Sequence, residues 1–204
     1  MRISQQATQH SGARGARCFR WKQGPLYAGI AAALLGTALV WFATPARAGS
    51  GNTKPLQVVP SVDLNRYMGQ WYEIARLPNR FQRDCVSNTT ATYTLRPDGK
   101  ITVLNQCRTA EGRLKSAKGT ARVANPNGPN SKLKVTFFWP FAGNYWIIGL
   151  DPEYRWALVG EPDRKYLWIL SREPEMDEAL FDRIVASARE QGYETDRLMK
   201  TPQR

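Results

Sequence analysis

From residue 70 onward, the chain alternates apolar and polar positions in short runs, which is typical of β-strands with one face in a core. The runs end at turns rich in proline, glycine, asparagine and aspartate, of which Arg96-Pro97-Asp98-Gly99 is one example. Short turns favour an antiparallel up-and-down calyx barrel, because closure leaves no sheet edge exposed. The sequence therefore predicts an all-β domain of eight strands, at residues 70–76, 87–95, 100–106, 114–124, 132–138, 145–150, 155–160 and 166–171.

Two segments show helical spacing instead. Residues 62–67 suit one turn of helix, with Asp63 near its N-terminus. After the last predicted strand, Met176, Leu180 and Ile184 recur at the spacing of an amphipathic helix. The opposite face of this segment mixes acidic and basic residues, so we expect one C-terminal α-helix packed outside the barrel and not a helix lying on a membrane.

The first 48 residues differ in composition from the rest of the chain. Basic residues precede an apolar run from Leu26 to Phe42, and the small-residue site Ala46-Arg47-Ala48 follows that run. This order is typical of a cleaved signal peptide, although the length of the run leaves an uncleaved N-terminal anchor as the alternative. We therefore predict a signal peptide at residues 1–48, a flexible N-terminal arm at 49–61 and one folded domain at 62–204.

The charge of the exported part is lower than that of the whole chain. The chain has 29 basic and 17 acidic residues, a net charge of +12. Residues 1–48 hold six of the basic residues and none of the acidic ones, so the remainder has 23 basic and 17 acidic residues and a net charge of +6. This modest excess could favour anionic lipid surfaces. No dense basic run follows Ala48, so we expect no nucleic-acid partner.

Histidine and cysteine usage limits the chemistry of the exported domain. The single histidine, His10, lies in the predicted signal peptide, which excludes a histidine triad or a histidine zinc site, and we predict no metal and no cofactor. Cys85 and Cys107 form an even pair in an exported chain, which favours a disulfide. A nucleophilic or redox thiol is the alternative, but neither a histidine nor a Cys-x-x-Cys spacing supports it.

Three short motifs follow one another along the predicted strands. Gly69-x-Trp71 opens the first strand, Asp151-Pro152-Glu153-Tyr154 lies between two late strands, and Arg172 ends the last strand. Together they resemble the motifs of the lipocalins, whose eight-stranded barrels enclose one small apolar ligand. In the family, this arginine packs over the tryptophan near the closed end of the barrel, a cation–π contact worth roughly 0.5–2 kcal/mol. These residues indicate the fold and not the ligand.

Longer segments resemble the bacterial outer-membrane lipocalins, which are relatives of apolipoprotein D. The similar segments are 71–76, 91–95, 134–138 and 166–172. The resemblance implies binding of fatty acids or lysophospholipids, membrane maintenance in the cell envelope under stress, and a homodimer. Members of this type often carry an acylated cysteine after the apolar run, and here the only cysteine in that region, Cys18, precedes the run. We therefore expect an exported, periplasmic protein without a lipid anchor, for which peripheral association with the outer membrane is an open alternative.

Aromatic residues in or beside the strands are the candidates for lining a ligand cavity, because they offer large apolar area with a polar tip. Trp168 is favoured by strand alternation and by the resemblance, and plain core packing is the alternative for each candidate. Glu73 shares a strand face with Trp71 and is the carboxylate expected inside the barrel. The predicted lining set is Glu73, Tyr93, Phe138, Trp146, Trp156, Tyr166 and Trp168.

Two other classes of function, an enzyme and a partner-binding module, are alternatives to a lipid carrier. An enzyme on this fold would need a placed nucleophile or an acid–base pair, and a lone buried glutamate such as Glu73 is more often a hydrogen-bonded structural group. We therefore predict no catalytic residue. A partner-binding module would use the loop Trp139-Pro140-Phe141 as a dimer or membrane contact, because exposed aromatic side chains often mark such contacts.

The predicted leader gives a first testable expectation. We expect the exported protein to begin near Gly49 and to carry no acyl group, because a cleavage site is present and the acylation cysteine is absent. Intact-mass spectrometry of protein purified from the envelope measures both features. A retained leader or an added diacylglycerol mass would contradict this expectation.

Overall fold

The computed structural model describes residues 54–204, and the predictions for residues 1–48 lie outside this part of the chain. Neighbouring strands pair antiparallel throughout, and β1 pairs with both β8 and β2, so the predicted closed eight-stranded barrel is confirmed. A ninth short strand extends the sheet beside β1. The strands are β1 (Gly69–Arg76), β2 (Ser87–Leu95), β3 (Ile101–Arg108), β4 (Leu114–Val123), β5 (Lys132–Phe138), β6 (Phe141–Leu150), β7 (Trp156–Gly160), β8 (Leu167–Ser171) and β9 (Met199–Lys200).

Two α-helices flank the strands, α1 (Leu64–Tyr67) and α2 (Glu178–Glu190). The Asp63 side chain caps α1, since its carboxylate accepts from the backbone N–H of Asn65 at 2.9 Å. Asp177 caps α2 in the same way, by accepting from the N–H of Leu180 at 2.9 Å. No helix within residues 54–204 combines the length and the apolar character needed to span a bilayer.

Alternation along the strands creates two separate apolar clusters. In β7, Ala157 and Val159 face the barrel interior, whereas Leu158 between them faces outward. Leu158 joins an outer cluster with Phe181 and Ile184 of α2, which confirms the predicted packing of this helix outside the barrel. The inner cluster fills one half of the barrel completely, with Trp71, Tyr67, Ile101, Ile147 and Leu133 at 2 % exposure or less.

The predicted loop at residues 139–143 is shorter in the structure. Phe138 of β5 pairs directly with Phe141 of β6, so only Trp139 and Pro140 form the connection. The strand predicted at 145–150 therefore begins at Phe141. Pairing across this hairpin satisfies backbone groups that a longer loop would leave to water, which explains the difference.

The N-terminal arm is packed against the barrel over the residues that are described. Leu56 is buried in the outer cluster, the N–H of Val59 donates to the carbonyl of Ile147 at 3.0 Å, and the Ser131 hydroxyl donates to the carbonyl of Val59 at 2.6 Å. The expectation of a flexible arm over 49–61 was therefore wrong for residues 56–61. The polar residues and prolines of this segment led to the prediction of a flexible arm, although its apolar residues pack it against the barrel.

The C-terminal tail completes the barrel wall where β1 and β2 separate. Direct β1–β2 pairing covers only Gly69 to Tyr72 of β1. Beyond that point, β9 pairs with Ala75 and Arg76, and the carbonyl of Pro202 accepts from the N–H of Asn88 in β2 at 2.8 Å. The tail thus occupies the gap between the two strands.

Arg172 closes the end of the barrel at which β1 begins. Its guanidinium carbon lies 3.8 Å from the centroid of the Trp71 ring. Its Nη1 donates to the carbonyl of Gln70 at 2.8 Å, and its Nη2 donates to the carbonyls of Arg66 and Met68 at 2.7 and 2.9 Å. A cation–π contact and three charge-assisted hydrogen bonds therefore join β8, β1 and the end of α1.

Replacement of Arg172 tests this closure. We expect Arg172→Ala to lower the free energy of unfolding by about 2–4 kcal/mol, because the cation–π contact is lost and three carbonyls lose their donor. Arg172→Lys keeps the charge but not the planar fork and should give an intermediate loss. Chemical denaturation measures both changes, and equal stability of Arg172→Ala and the parent protein would show that the contact contributes nothing.

Candidate functional site

The barrel is open at the end opposite Arg172. Connections from β1 to β2, β3 to β4, β5 to β6 and β7 to β8 all lie at this open end, because the strands alternate in direction. Several inward-facing positions in this half are half-buried or exposed, whereas the inner cluster of the closed half is buried. By register and alternation these accessible positions are Ala91, Asn105, Phe137, Tyr145 and Trp168, which are half-buried, and Ala117 and Gly143, which are exposed. The inner wall of the open half is therefore accessible in part, and we call the space that it borders the lumen.

Three tyrosines form the floor of this lumen. The Tyr145 hydroxyl lies 2.8 Å from the hydroxyls of both Tyr67 and Tyr93. Burial raises the pKa of Tyr93 to about 12 and holds the pKa values of Tyr67 and Tyr145 well above their ordinary range. The floor is therefore uncharged, with its hydroxyls paired to one another.

Glu73 is the buried carboxylate of the open half, and its side chain is almost wholly satisfied. It accepts hydrogen bonds from the Thr201 hydroxyl at 2.6 Å, from the Gln82 amide, and from Arg76 at 3.3 Å. Burial raises the pKa of Glu73, while the hydrogen bonds from Thr201 and Gln82 and the charge of Arg76 act in the opposite direction. This arrangement links β1, the β1–β2 connection and the C-terminal tail.

Residues 77–86, which we call the lid, cross part of the mouth. The Gln82 side chain reaches inward, where its amide donates to Glu73 and its Oε1 accepts from Nε1 of Trp168 at 3.0 Å. Cys85 forms the predicted disulfide with Cys107 of β3. Asp84 accepts from Lys115 of β4 at 2.6 Å. The lid is therefore fixed to β1, β8, β3 and β4, and it leaves the side of β5 and β6 uncovered.

A few buried polar atoms lack partners, and most belong to this half of the barrel. Among the residues described, they are Nε of Arg76, Oγ1 of Thr89, Oδ1 of Asn105 and, at the end of α2, Oε1 of Gln191. Buried polar groups are usually hydrogen-bonded, so the first three are positions where a water molecule or the polar group of a ligand would bind. Within residues 54–204, no group of three or more histidine, cysteine, aspartate or glutamate side chains could hold a metal ion.

The structure places four of the predicted lining residues inside the barrel or at its mouth. Glu73 and Trp168 face the interior of the open half, and Tyr93 lies in the floor. Tyr166 stacks on Trp168 with ring centroids 5.9 Å apart and contacts Phe81 of the lid at 5.4 Å. Phe138 is 79 % exposed outside the barrel, next to the inward-facing Phe137, so its selection as a lining residue was wrong.

Trp146 and Trp156 lie on the other face of the sheet. Both pack against the outer cluster, and the Lys132 ammonium lies 4.2 Å from the centroid of the Trp146 ring. Their selection as lining residues was therefore wrong. Ile147 points inward, so strand alternation turns its neighbour Trp146 outward. Aromatic character favoured these two positions as lining residues, whereas strand alternation excludes them.

The same alternation identifies lining residues that the sequence analysis missed. Asn105 follows the inward-facing Val103 at a spacing of two, and Tyr145 precedes Ile147 at the same spacing. Ala117 pairs with Asn105, and Phe137 packs with the inner cluster. These positions were open to prediction once one inward residue of each strand was known. The inward insertion of Gln82 carried no such sequence signal.

The loop at Asp151 lies at the closed end and has a structural role. Asp151 accepts from the Arg155 side chain at 3.0 Å and from the N–H of Glu153 at 3.1 Å. The hydrogen bond from Arg155 holds the pKa of Asp151 below its usual range. The Tyr154 hydroxyl accepts from the N–H of Asp63 at 2.7 Å, which ties this loop to α1.

Comparison with known proteins agrees with this architecture. Residues 62–203 match the family model described as the lipocalin-like domain. Temperature-induced lipocalin-1 of Arabidopsis thaliana is 45 % identical over 157 residues, which cover 74 % of this chain and 84 % of that protein. Outer membrane lipoprotein Blc of Escherichia coli strain K12 is 42 % identical over 143 residues, which cover 70 % and 80 %.

A solved structure supports the fold independently. The structure of insecticyanin from the tobacco hornworm Manduca sexta superposes with a TM-score of 0.59 at 21 % identity, covering 74 % of this chain and 86 % of that one. At this level of identity, the likeness concerns the fold alone.

Proposed function

The chain belongs to the lipocalin family, and on that premise we propose that it binds one single-chain lipid, a fatty acid or a lysophospholipid, in the open half of the barrel. Family membership supports the binding of a small hydrophobic ligand. The observation that carries the proposal is the contrast between the two halves, since several inward positions are accessible in the open half, whereas the inner cluster of the closed half is buried. An accessible inner wall above a closed floor suits a ligand that enters from one end.

The chemistry of the wall favours an acyl chain with a polar group near the mouth. Ala91, Phe137 and Trp168 offer apolar surface in the lumen. The Arg76 side chain contacts the lid, because its Nη2 donates to the carbonyls of Gln82 and Cys85 at 3.4 Å, and an amphipathic ligand could supply the partner that its Nε lacks. A single chain would therefore lie along the barrel axis, with its head group beside the lid.

We propose a carrier or storage protein and not an enzyme. Glu73 is buried and accepts hydrogen bonds from Thr201, Gln82 and Arg76, which is typical of a structural carboxylate. Cys85 and Cys107 are joined in a disulfide, so neither offers a nucleophilic thiolate. The Thr201 hydroxyl that donates to Glu73 is itself buried in the barrel wall, which favours a structural role for this pair.

We propose the bacterial cell envelope as the place of action, with a role in membrane maintenance under stress. The predicted signal peptide supports export, and the relative in Escherichia coli is named an outer membrane lipoprotein. The missing acylation cysteine favours a periplasmic protein without a lipid anchor. The loop at Trp139 is the proposed contact surface, either for a homodimer or for the outer membrane.

An acyl-chain series tests the binding proposal. We expect saturable binding at one site per barrel, with a gain of up to ~0.8 kcal/mol for each added methylene until the lumen is filled. Titration of delipidated protein with fatty acids and lysophospholipids of increasing length, followed by tryptophan fluorescence, measures this gain. Affinity that does not change with chain length would contradict the proposal.

Matched tryptophan variants locate the site within that experiment. Trp168→Phe should weaken binding and reduce the fluorescence change, because Trp168 faces the lumen. Trp146→Phe is the control on the outer face and should leave both quantities unchanged. An equal effect of the two substitutions would argue that the ligand does not bind inside the barrel.

Release of the lid gives a further prediction. The disulfide closes a loop with a sequence separation of 22 residues, so Cys85→Ser/Cys107→Ser should cost about 3 kcal/mol of stability. The same variant should speed ligand dissociation, because the lid loses its covalent link to β3. Stopped-flow displacement well below the melting temperature measures the rate. Gln82→Ala retains the disulfide and tests the inserted side chain separately. An unchanged rate of ligand dissociation in both variants would show that the lid does not restrict the exit of the ligand.

A further inference from the structure

Large apolar side chains are exposed almost exclusively at the open end of the barrel. Of the eight such residues in the described part of the chain, only Leu95 lies at the closed end. The most exposed belong to the β5–β6 hairpin, with Trp139 at 89 %, Phe138 at 79 % and Phe141 at 78 %. Exposed apolar patches of this kind mark interaction sites, and random scatter would not place them at one end.

These side chains surround the mouth of the lumen. We call the hairpin residues Phe138, Trp139 and Phe141 the rim. Across the mouth, Phe81 and Val86 are exposed on the lid, and Leu114 is exposed at the start of β4. The apolar groups therefore project from three separate connections around an opening. A surface that contacts all of them must also face the lumen.

Unpaired basic residues accompany the apolar groups. Within the described residues, Arg80 and Arg83 of the lid and Lys165 of the β7–β8 connection form no ion pair, whereas Lys115 pairs with Asp84. Arg80 lies over the Phe81 ring, with its guanidinium carbon 5.3 Å from the ring centroid. Aromatic residues combined with basic ones suit the interface of an anionic bilayer, where the aromatic rings lie at head-group depth.

We propose that the open end docks on the surface of an anionic lipid bilayer, with the rim inserted among the head groups and the lumen facing the membrane. This inference rests on the contact proposed above for the loop at Trp139 and deepens it, because it commits to an anionic bilayer and assigns the whole open end as the surface at which lipid would be exchanged. Docking itself requires no bound ligand. A second copy of the chain fits the same surface less well, since mouth-to-mouth contact would bring Arg80, Arg83 and Lys165 of both copies together.

Vesicle binding tests the proposal with protein lacking residues 1–48, which retains the whole closed barrel as one compact unit. Co-sedimentation compares phosphatidylcholine vesicles with vesicles that also contain about a quarter phosphatidylglycerol. We expect the parent protein to prefer the anionic vesicles. Phe138→Ser/Trp139→Ser/Phe141→Ser should lower partitioning about tenfold or more, since the inserted apolar area is lost.

Two controls separate the rim from general effects. Leu95→Ser removes the exposed apolar residue of the closed end and should not change partitioning. Arg80→Gln/Arg83→Gln should reduce the preference for anionic vesicles while leaving the weak binding to phosphatidylcholine. Circular dichroism checks that each variant is folded, and the single Trp139→Ser replaces the triple variant if that one unfolds. Undiminished binding by the rim variant, or an equal loss in Leu95→Ser, would overturn the proposal.

Two further measurements, sedimentation and a titration with soluble lipid, distinguish docking from dimerisation and from the carrier function. If the parent protein binds no vesicles and sediments as a dimer that the rim variant converts to a monomer, the rim is a contact between copies and the docking proposal is wrong. A water-soluble short-chain lipid is titrated against the same variants without vesicles. If the rim variant loses vesicle binding but still binds the short-chain lipid, the docking proposal is supported. If the parent protein binds vesicles but no soluble lipid, docking is supported and the carrier function is contradicted.

Discussion

The contact of Arg172 with Trp71 decides which end of the barrel is filled. The guanidinium covers the indole ring and donates to the backbone carbonyls of Arg66, Met68 and Gln70. The end of α1, the start of β1 and the end of β8 therefore meet at one point. The tyrosine cluster and the fully buried inner core lie above this closure. Because that end is sealed, the lumen and the lid belong to the opposite end, as do all of the exposed large apolar side chains in the described part of the chain except Leu95.

Hydrogen bonds between buried polar side chains hold the segments of the open end together, whereas apolar packing holds those of the closed end. Glu73 joins three segments that are distant in the chain, and its bond to Thr201 spans 128 residues. Gln82 extends this network across the mouth to Trp168. Such a network is stable only when each member finds its partners, so the lid and the C-terminal tail are coupled through one carboxylate.

The barrel could be predicted from the sequence because its signals are local. Alternation and turn residues gave the bounds of β2 and β5 to the residue. The pairing of β9 with β1 could not be predicted, since a two-residue strand has no periodicity and its partner lies far away in the chain. Aromatic character alone misassigned Trp146 and Trp156, while alternation alone would have found Asn105 and Tyr145. The exposed rim was visible in the sequence as Trp139-Pro140-Phe141, but its position beside the mouth required the fold.

The disulfide has a consequence for the order of folding. Cys85 and Cys107 enclose β2 and nearly all of β3, and these two strands pair with each other as a hairpin. The covalent bond therefore links neighbouring segments and requires no contact with β8 or β9. Contacts between nearby segments form faster than those between distant ones, because less chain entropy is lost in closing the loop. The disulfide can thus form across the β2–β3 hairpin before the C-terminal third of the barrel has folded. The later pairing of β8 and β9 with β1 then completes the barrel wall.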